Sequence, residues 1–412
     1  MAPLKYWLWL STRRGAEEHP EVLCRLLEQF GTPEAVYFAD PEEYRRIPEL
    51  PPLMHQELED KTLDSAEAIL ERCARLDLHI MTVQDTDYPD RLRQIRDYPL
   101  VLYRKGKWFP LDEMLTIGMV GTRKATPYGV NMAATLSMDL SRGGAVVVSG
   151  MAEGIDTASV KGALQAGGTP ISVLGGGIDV PYPYENRFLY DDVAAVGALL
   201  SEYPPGTRPQ GFHFPVRNRI ISGLSCGVIA VEGAERSGTM ITMRLALEQD
   251  RDTYAVPGNA DAPMSRGTNR LIQRGEAQLL LNAGEILEEY AGRYTVRLKH
   301  QEEPLTKEER EARLSGIKMP ERREKRNEPP KPKTEEPPRP TMTRADASAQ
   351  LSEEQMAILE AVADTPLLTD EIIEKTGLPA HQVMAALTIL QVGGFVQEQA
   401  GKRFFAAIGL EP

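Results

Sequence analysis

The stretch LTIGMVGTRKATPYG, residues 115–129, combines a buried strand, a glycine turn and the start of a helix. Its apolar run lacks the alternating polar positions of a half-exposed strand, which is typical of a parallel strand covered by helices on both faces. Similar runs recur downstream, with room for a crossover helix before each. The runs are Thr116–Val120, Ala145–Ser149, Thr169–Leu174, Ala198–Ser201, Gly227–Val231, Thr253–Val256 and Ala277–Leu281. The pattern predicts an α/β fold with a doubly wound parallel sheet.

The residues upstream of this region follow a helical pattern. Apolar side chains recur at helical spacing over residues 22–30, and Gly31, followed by Thr32 and a proline, ends that helix and starts another. Residues 1–110 are therefore expected to be mainly a small helical domain, and the parallel sheet is assigned to residues 111–298.

A segment rich in proline and charge follows the predicted sheet. Residues 299–349 contain eight prolines between Pro304 and Pro340, together with many lysines, arginines and glutamates. Because this segment has few aliphatic residues and cannot bury a core, it is expected to be a disordered linker. Its basic run, residues 322–326, is interpreted as part of a solvated tether, and a transient contact with nucleic acid is the less favoured alternative.

The C-terminal region, residues 350–412, shows the order helix, helix, helix, hairpin, which predicts a winged helix. Ser352 begins a capping box before the first helix, Thr369 is expected to cap the second, and the hairpin is expected to turn at Gly401. The third helix, residues 380–391, carries no lysine or arginine. A helix that reads the major groove usually brings such cations, so a protein-contact module is favoured over a reader of duplex DNA.

The chain of 412 residues carries a formal net charge of −13. This argues against a surface coated in positive charge for nucleic acid, but it leaves a local basic groove open, because phosphate attraction acts within about 8–10 Å. A nucleic-acid site must then be a small cluster of arginines. A spanning helix needs an apolar run of about 18 residues, which is missing, and the N-terminus lacks the features of a signal peptide. A cytoplasmic protein without membrane insertion is therefore expected.

The residues that follow each strand are informative, because the ligand of an open parallel sheet lies beyond the carboxyl ends of its strands. The first strand leads into Gly121 and Arg123 and then into a helix that starts at Pro127, which offers backbone N–H groups and a guanidinium to a phosphate. Later loops add glycines, arginines and aromatic side chains at the same edge. Together they predict a basic trough with stacking surfaces that suits a single-stranded phosphate backbone. Asp156 and Asp179 are as well suited to bracing arginines or capping helices as to a catalytic role.

The loops lack the patterns of nucleotide-dependent enzymes. The turn at Gly121 is not a GxGxxG dinucleotide fingerprint, no GxxxxGK[ST] phosphate loop occurs, and no Ser–His–Asp set or metal cluster suggests itself. No catalytic residue, cofactor or metal is therefore expected. The cysteines, Cys24, Cys73 and Cys226, lie far apart and favour reduced, buried thiols over a disulfide framework.

Several short motifs follow one another along the predicted sheet. They include VGTR at 120–123, SGMA at 149–152, GGID at 176–179 with Tyr182-Pro183 and Asn186, Ser201-Glu202, Phe214-Pro215 with RNRII at 217–221, Ser237-Gly238-Thr239 and Pro257-Gly258. These loops closely resemble those of the DprA/Smf (DNA-processing protein A) family, and the matching pieces occur in the family's order over residues 85–285. One departure is Val160, which stands where the family usually has a histidine four residues after Asp156, and this loss counts against a catalytic role for the motif.

The resemblance implies an extended Rossmann-like domain that binds single-stranded DNA without strong sequence choice. It further implies a homodimer that loads RecA recombinase onto this DNA and protects incoming strands during natural transformation and recombination. Residues 1–110 resemble the sterile-alpha-motif-like (SAM-like) domain and lead-in segment of many members, and a C-terminal winged helix is a common appendage of the family.

The resemblance also assigns DNA contacts to individual loop residues. Phosphate contacts are expected from Arg123, Arg217 and Arg219, with Lys124 and Arg187 as further cations. Supporting hydrogen bonds are expected from Asn186, Asn218, Ser237 and Thr239. Tyr182 and Phe214 are expected to stack on bases or to pack in the wall. The phosphate-loop glycines are expected to be Gly121, Gly150, Gly176, Gly177 and Gly238.

Two other functions remain open from the sequence. A nucleoside-monophosphate phosphoribohydrolase of the lysine-decarboxylase-like type uses a related fold, but its Pro-Gly-Gly-x-Gly-Thr string with a following glutamate is missing at residues 237–239 and 257–259. The third candidate is a scaffold whose winged helix and tail recruit partners while the sheet binds nothing. Release of base from nucleoside monophosphates would favour the phosphoribohydrolase, and partner binding without DNA affinity would favour the scaffold.

Overall fold

The computed structural model describes residues 3–16, 18–47, 50–294, 341–363, 365–399 and 403–411. These residues belong to two compact units, Met1–Arg322 and Arg323–Pro412. The first unit contains the N-terminal helices and the sheet, and the second contains the C-terminal helices and strands. Most of the predicted linker, residues 299–340, lies outside the described residues.

Short helices form the described N-terminal part of the first unit, as the apolar spacing predicts. They are α1 (Leu4–Ser11), α2 (Pro20–Phe30), α3 (Pro33–Phe38), α4 (Pro41–Tyr44), α5 (Pro52–Glu59) and α6 (Asp64–Arg75). The residue after α2 is Gly31, whose φ of 78° lies in the left-handed region. Thr32 then caps α3 by accepting the backbone N–H of Ala35 at 3.1 Å. The boundary predicted between these two helices is confirmed.

A nine-stranded sheet lies at the centre of the described part of the first unit. Its strands are β1 (His79–Thr82), β2 (Val101–Gly106), β3 (Thr116–Val120), β4 (Val146–Ser149), β5 (Ile171–Leu174), β6 (Ala198–Ser201), β7 (Gly227–Ala230), β8 (Asp252–Ala255) and β9 (Gln278–Leu279). The spatial order is β1-β2-β6-β5-β4-β3-β7-β8-β9. Strands β3 to β9 are parallel to one another. The predicted doubly wound parallel sheet is confirmed, with strand ends that shift by about one or two residues.

Both faces of the parallel sheet are buried over most of its strands, which explains why these strands consist mainly of apolar residues. In β4, Val146 and Val148 pack into one apolar cluster, and Val147 packs with Ile117 and Met119 into another. Because successive side chains of a strand point to opposite faces, a strand that is covered on both sides is apolar at most positions, and its few polar side chains, such as Ser172, are buried.

The two antiparallel strands were missed by the sequence pattern. Strand β2 pairs with β6, and β1 pairs with β2, so residues 79–106 extend the sheet although they fall within the region 1–110 that was predicted to be mainly helical. Only Val101–Tyr103 of β2 and the last two residues of β1 are fully buried. Strands this close to a sheet edge carry exposed polar residues, so they lack the continuous apolar run by which the other strands were recognised.

Helices cover the sheet and fix where its loops diverge. They are α7 (Asp90–Arg93), α8 (Pro127–Arg142), α9 (Ile155–Gln165), α10 (Arg187–Val196), α11 (His213–Leu224), α12 (Gly238–Glu248), α13 (Arg266–Gln273) and α14 (Ala283–Tyr294). The chain runs from β3 outward through β4, β5 and β6, and then crosses to β7, β8 and β9 on the other side of β3. The loops after β3 and β7 therefore leave in opposite directions and open a crevice between them.

The second unit has the helices and hairpin of the predicted winged helix. Its elements are β10 (Thr341–Thr343), α15 (Arg344–Gln350), α16 (Glu353–Ala361), β11 (Leu367–Leu368), α17 (Thr369–Thr376), α18 (Ala380–Val392), β12 (Val396–Gln399), β13 (Arg403–Ala406) and β14 (Gly409–Glu411). Ser352 and Gln355 form the predicted capping box of α16. Strands β12 and β13 form the predicted hairpin, and β11 adds a third strand beside β13.

Two expectations about this unit are corrected. Residues 341–349, which were assigned to the disordered linker, form β10 and most of α15, and β10 pairs in parallel with β14. Pairing with a strand far along the chain gives this polar segment an order that its composition does not reveal. Thr369 does not cap α17, because Leu368 is the N-cap and its backbone N–H donates to Glu371 Oε2 at 2.7 Å. The predicted turn residue Gly401 lies outside the described residues.

Two further sequence expectations concern the membrane and the cysteines. Among the described residues, no helix combines the length and the apolar character that crossing a membrane requires. Cys24 and Cys73 are buried free thiols, and burial raises the pKa of Cys24 to about 12 and that of Cys73 to about 11. These two free thiols fit the expectation of reduced, buried cysteines, whereas Cys226 is partly exposed.

Candidate functional site

A cleft of about 580 Å³ lies at the crevice between β3 and β7. It is lined by the loops after β3, β4, β5 and β7, by residues 209–211 and by one face of α11. Of the residues predicted to bind DNA or phosphate, the cleft gathers Gly121, Arg123, Tyr182, Phe214, Arg217, Asn218, Ser237, Gly238 and Thr239. The prediction that ligand-binding loops converge at the carboxyl edge of the sheet is thus consistent with where these residues lie.

A guanidinium and two aromatic rings form one stacked surface of the cleft. The Arg123 guanidinium carbon lies 4.5 Å from the ring centroid of Phe214. The ring of Tyr182 lies beside that of Phe214, with the centroids 5.3 Å apart and the planes tilted by 39°. Tyr182 is 43% exposed. This surface offers a positive charge and flat apolar faces at the same place, which suits a phosphate next to an unpaired base.

Arg217 lies at the floor of the cleft and is only 3% exposed. Its Nη1 donates to the carbonyl of Gly150 at 2.7 Å and also to the carbonyl of Val173. Burial lowers the pKa of Arg217, and the charge of Asp156 acts in the opposite direction. Arg217 therefore ties the ends of β4 and β5 together and places its charge beneath the cleft.

The two aspartates of the loops act as braces in this structure. Asp156 is buried in the cleft wall, where burial raises its pKa while Arg217 opposes that rise. Asp179 Oδ1 accepts the backbone N–H of Gly206 at 2.7 Å, and its Oδ2 accepts a hydrogen bond from Arg72 Nη2 at 2.6 Å. The structure therefore favours bracing over the chemical role that the sequence left open for them.

The N-terminus of α12 opens into the cleft. Ser237 is its N-cap residue, but its side chain accepts no hydrogen bond from the helix, and its Oγ donates back to the carbonyl of Ala234 at 2.8 Å. The backbone N–H groups at Gly238 and Thr239 begin the helix at the cleft wall, and open space surrounds Gly238. An uncapped helix N-terminus combines free donors with the positive end of the helix dipole, which suits an anion.

The N-terminus of α8 was expected to offer the same kind of phosphate site, and the structure corrects this. Thr126 caps α8 by accepting the N–H of Gly129 at 3.2 Å. The carboxylate of Glu232 accepts hydrogen bonds from the Thr126 backbone at 2.9 Å and from its hydroxyl at 2.6 Å. An internal carboxylate thus occupies the position predicted for a phosphate.

Arg219 does not reach the cleft, although it was expected to contact phosphate. It is 2% exposed, and its Nη2 lies 2.8 Å from Glu202 Oε1 and its Nε 3.2 Å from Asp97 Oδ2. Burial alone would lower the pKa of Arg219, but the two carboxylates raise it above the ordinary value. Residues two apart on a helix point to different sides, so Arg217 and Arg219 on α11 cannot share one surface.

Three other predicted DNA contacts also lie outside the cleft lining. Asn186 is buried, and its Nδ2 donates to the carbonyl of Met151 at 2.9 Å and to Thr157 Oγ1 at 2.7 Å. It braces the loop instead of facing a ligand. Arg187 and Lys124 lie at the surface, beyond the residues that line the cleft.

Most of the predicted phosphate-loop glycines serve close packing. An added Cβ would come within 2.4 Å of Arg217 Nη1 at Gly150, within 2.7 Å of Pro209 at Gly176 and within 2.8 Å of the Gly206 nitrogen at Gly177. Gly121 lines the cleft, but an added Cβ there would come within 2.4 Å of the Ile155 side chain. Gly238 alone of the five has open space around it. These glycines therefore let loops and the Arg217 side chain approach one another.

The sequence interpretation missed polar residues that line the cleft. Thr122 and Gln210 both contribute to its wall. Thr122 lies between Gly121 and Arg123, directly after a strand, and this position could have indicated that it lines the cleft. Gln210 lies in an irregular segment between β6 and α11, where no pattern of spacing indicates which side chains face a ligand.

Two family models match this chain. The model of DNA recombination-mediator protein A matches residues 79–291, and that of the DprA winged helix domain matches residues 342–402. The first match begins at the first residue of β1. It therefore includes the two antiparallel strands with the parallel part of the sheet.

Individual proteins show the same similarity. The DNA processing protein DprA of Bacillus subtilis is 45% identical over 212 residues, which are 52% of this chain and 71% of that protein. The protein Smf of a Synechocystis species is 31% identical over 409 residues, which are 97% of this chain and 98% of that protein. The X-ray structure of DNA processing protein A from Streptococcus pneumoniae superposes with a TM-score of 0.61 at 31% identity, over 73% of this chain and 100% of that one.

Proposed function

Since this chain belongs to the DprA/Smf family of DNA processing proteins, we propose that its cleft binds single-stranded DNA without strong sequence preference. The observation that carries this proposal is the stacked surface of Arg123, Phe214 and Tyr182, which lines the same cleft as the uncapped N-terminus of α12. Stacking accepts every base because every base has a flat face, and phosphate contacts carry no sequence information.

Different residues of the cleft suit different parts of the DNA strand. Arg123 and the N–H groups of Gly238 and Thr239 suit phosphate oxygens, whereas the rings of Tyr182 and Phe214 suit bases. Duplex DNA keeps its bases stacked inside, so a surface that takes up unpaired bases favours single strands. With a net charge of −13 on the whole chain, attraction depends on this local arrangement and should weaken steeply as salt rises.

Replacement of Arg123 by alanine tests the phosphate contact. We expect Arg123→Ala to weaken oligo-dT binding and to lower the slope of log affinity against log salt concentration by about 0.7, the value for one phosphate contact on a single strand. A fluorescence titration at several salt concentrations measures both quantities. Arg75→Ala, an exposed arginine at the end of α6, is the matched control. A slope and affinity equal to those of the control would remove Arg123 from the site.

Replacement of Gly238 by proline tests the N-terminus of α12. Gly238 is the first residue of the helix, Ser237 before it is extended with φ −143° and ψ 163°, and an added Cβ meets no heavy atom within 4 Å. Proline fits such a position and removes only the N–H. We expect Gly238→Pro to weaken oligo-dT binding by roughly fivefold, about 1 kcal/mol, with an unchanged salt slope. Gly238→Ala keeps the N–H and is the control. Equal affinities of the two variants would show that this N–H holds no phosphate.

We infer a binding role rather than an enzymatic one. Among the described residues that line the cleft, Asp156 is the carboxylate, and it is buried beside Arg217 rather than free to act on a substrate. A buried carboxylate beside an arginine disfavours the phosphoribohydrolase alternative. We also propose a cytoplasmic location, in keeping with the DNA partner.

We further propose that the protein acts as a homodimer that loads RecA recombinase onto the bound strand and protects incoming or recombining DNA. Membership of the family supports this role. The cation-poor third helix of the winged domain, α18, supports a contact with protein rather than with duplex DNA. RecA-dependent strand exchange, measured with and without the full chain, should proceed faster in its presence. Unchanged exchange alongside tight oligo-dT binding would contradict the loading role and leave the DNA-binding role standing.

A further inference from the structure

Outside the cleft, an arginine is held between two exposed aromatic rings at the start of α10. The Arg187 guanidinium carbon lies 4.5 Å from the ring centroid of Tyr184 and 4.0 Å from that of Phe188. Its Nη1 also donates to the carbonyl of Tyr184 at 3.3 Å. Tyr184 is 66% exposed and Phe188 is 65% exposed. We call these three side chains the outer stack.

The outer stack is unusual for a surface that serves only solubility. Large apolar side chains at the surface are individually common, but two rings that flank one cation form a contiguous patch with a defined chemistry. The guanidinium is held by two neutral rings and a carbonyl, so its positive charge is fixed in place and stays available to an anion. Flat rings beside a fixed cation are the groups on which unpaired bases stack next to their phosphates.

The outer stack continues the stacked surface of the cleft. Tyr182 lines the cleft, and its Cα lies at most about 7 Å from that of Tyr184, because an extended chain spans at most ~3.6 Å per residue. The rings of Tyr184 and Phe188 both contact the Arg187 guanidinium, so they lie on the same side of this turn and helix. A strand that leaves the cleft past Tyr182 therefore passes the segment that carries the outer stack.

The backbone beneath the outer stack is anchored. The N–H of Tyr182 donates to the hydroxyl of Tyr190 at 3.1 Å, and Asn186 Nδ2 donates to Met151 O and to Thr157 Oγ1. Leu189 and Tyr190 are buried in the main apolar cluster. Rings carried on an anchored segment lose little conformational freedom when a base stacks on them, so this surface is prepared for binding before a ligand arrives.

We propose that the outer stack is a second base-stacking site, which takes the nucleotides of a single-stranded DNA chain that leaves the cleft past Tyr182. This inference rests on the proposed function of the cleft. It extends the DNA path onto Tyr184, Arg187 and Phe188. It commits to unpaired bases as the occupant, because a continuous path from the cleft and a fixed cation both match a strand with a charged backbone.

Oligonucleotide length separates the two sites. An oligo-dT of about six nucleotides fills the cleft, whereas one of about 16 also reaches the outer stack. We expect the double variant Tyr184→Ala/Phe188→Ala to bind the short oligonucleotide like the wild type and to bind the long one about fivefold or more weakly. Arg187→Ala should instead lower the salt slope by about 0.7 on the long oligonucleotide only.

An abasic oligonucleotide tests stacking itself. For the wild type, a long oligonucleotide whose bases are removed over one half should bind as weakly as the intact one binds to the double variant. The double variant should not distinguish the two. Phe38→Ala, which removes an aromatic side chain that is 69% exposed on α3, is the control and should leave all affinities unchanged.

Each outcome of this experiment is decisive. If the wild type binds neither oligonucleotide in dilute buffer, the proposed function of the cleft fails and this inference fails with it. If the wild type binds both and the double variant binds both equally well, the outer stack is not a DNA site and the cleft is unaffected. Equal losses on both lengths would place these rings in the structure of the cleft and overturn the second site. A change in sedimentation without a change in DNA affinity would make the patch a contact between protein chains and would also overturn it.

Discussion

Replacement of Arg219 by methionine is expected to destabilise the protein by about 3 kcal/mol, the lower end of the cost of breaking a buried ion pair, because it leaves two partly buried carboxylates without their cation. Arg219 is 2% exposed and lies between Glu202 at 2.8 Å and Asp97 at 3.2 Å. The methionine side chain fills much of the space but has no charge. Urea unfolding measures the loss as a lower midpoint with an unchanged dependence on denaturant.

A compensated variant identifies the cause of this loss. Arg219→Met combined with Glu202→Gln and Asp97→Asn removes the uncompensated charges and should recover part of the stability, since a buried charge without a partner costs more than a neutral polar group. Oligo-dT binding by the folded fraction should stay close to that of the wild type in both variants. If Arg219→Met keeps its stability but loses DNA affinity, Arg219 belongs to the DNA site.

Replacement of Phe214 or Tyr182 by alanine is expected to weaken binding of single-stranded DNA by about 1–3 kcal/mol each, the usual contribution of one stacked base. Both rings line the cleft and lie next to each other, with centroids 5.3 Å apart. Because neither side chain is charged, the salt dependence of binding should change less in these variants than in Arg123→Ala. Fluorescence titration with oligo-dT measures the effect, and Phe38→Ala again controls for the loss of an exposed ring.

The Phe214 and Arg123 variants should not be additive. The guanidinium of Arg123 lies over the ring of Phe214 at 4.5 Å, so removal of the ring also removes the surface that orients the cation. The double variant Arg123→Ala/Phe214→Ala should lose less affinity than the two single losses combined. Full additivity would mean that the two side chains contact the strand independently. Affinity unchanged in Phe214→Ala and Tyr182→Ala alike would exclude base stacking in the cleft.

The residues after β3 and within α11 show how far a sequence can predict a site. The turn at Gly121 and Arg123 follows a strand whose apolar run identifies it, and parallel strands place their carboxyl ends at one edge. The sequence of this segment alone therefore predicts that the loop lies at the carboxyl edge of the sheet, where a ligand binds. The sequence RNR at 217–219 is different, because neighbouring cations on a helix face different ways and the choice between them depends on what packs against each side.

Helix N-termini show the same limit. The segment at Pro127 starts a helix after a glycine turn and therefore indicates an anion site, but Glu232 from the loop after β7 supplies the anion internally. The segment at Ser237 starts a helix in a similar way and remains open. Nothing local distinguishes the two, since the difference is a carboxylate more than one hundred residues away from Thr126 along the chain.

The amino-acid sequence by itself determined the parallel sheet, because burial on both faces is recorded in consecutive apolar residues. It also determined the edge at which the loops gather, since parallel strands end on one side, and the family that the loop motifs resemble. Only the tertiary structure decided which polar groups remain available to a ligand. Arg123 and the start of α12 are open, whereas Arg219 is paired with Asp97 and Glu202 and the start of α8 is bound by Glu232. The physical reason is that a charge or a donor is available only when no partner approaches it through space, and such partners come from remote parts of the chain.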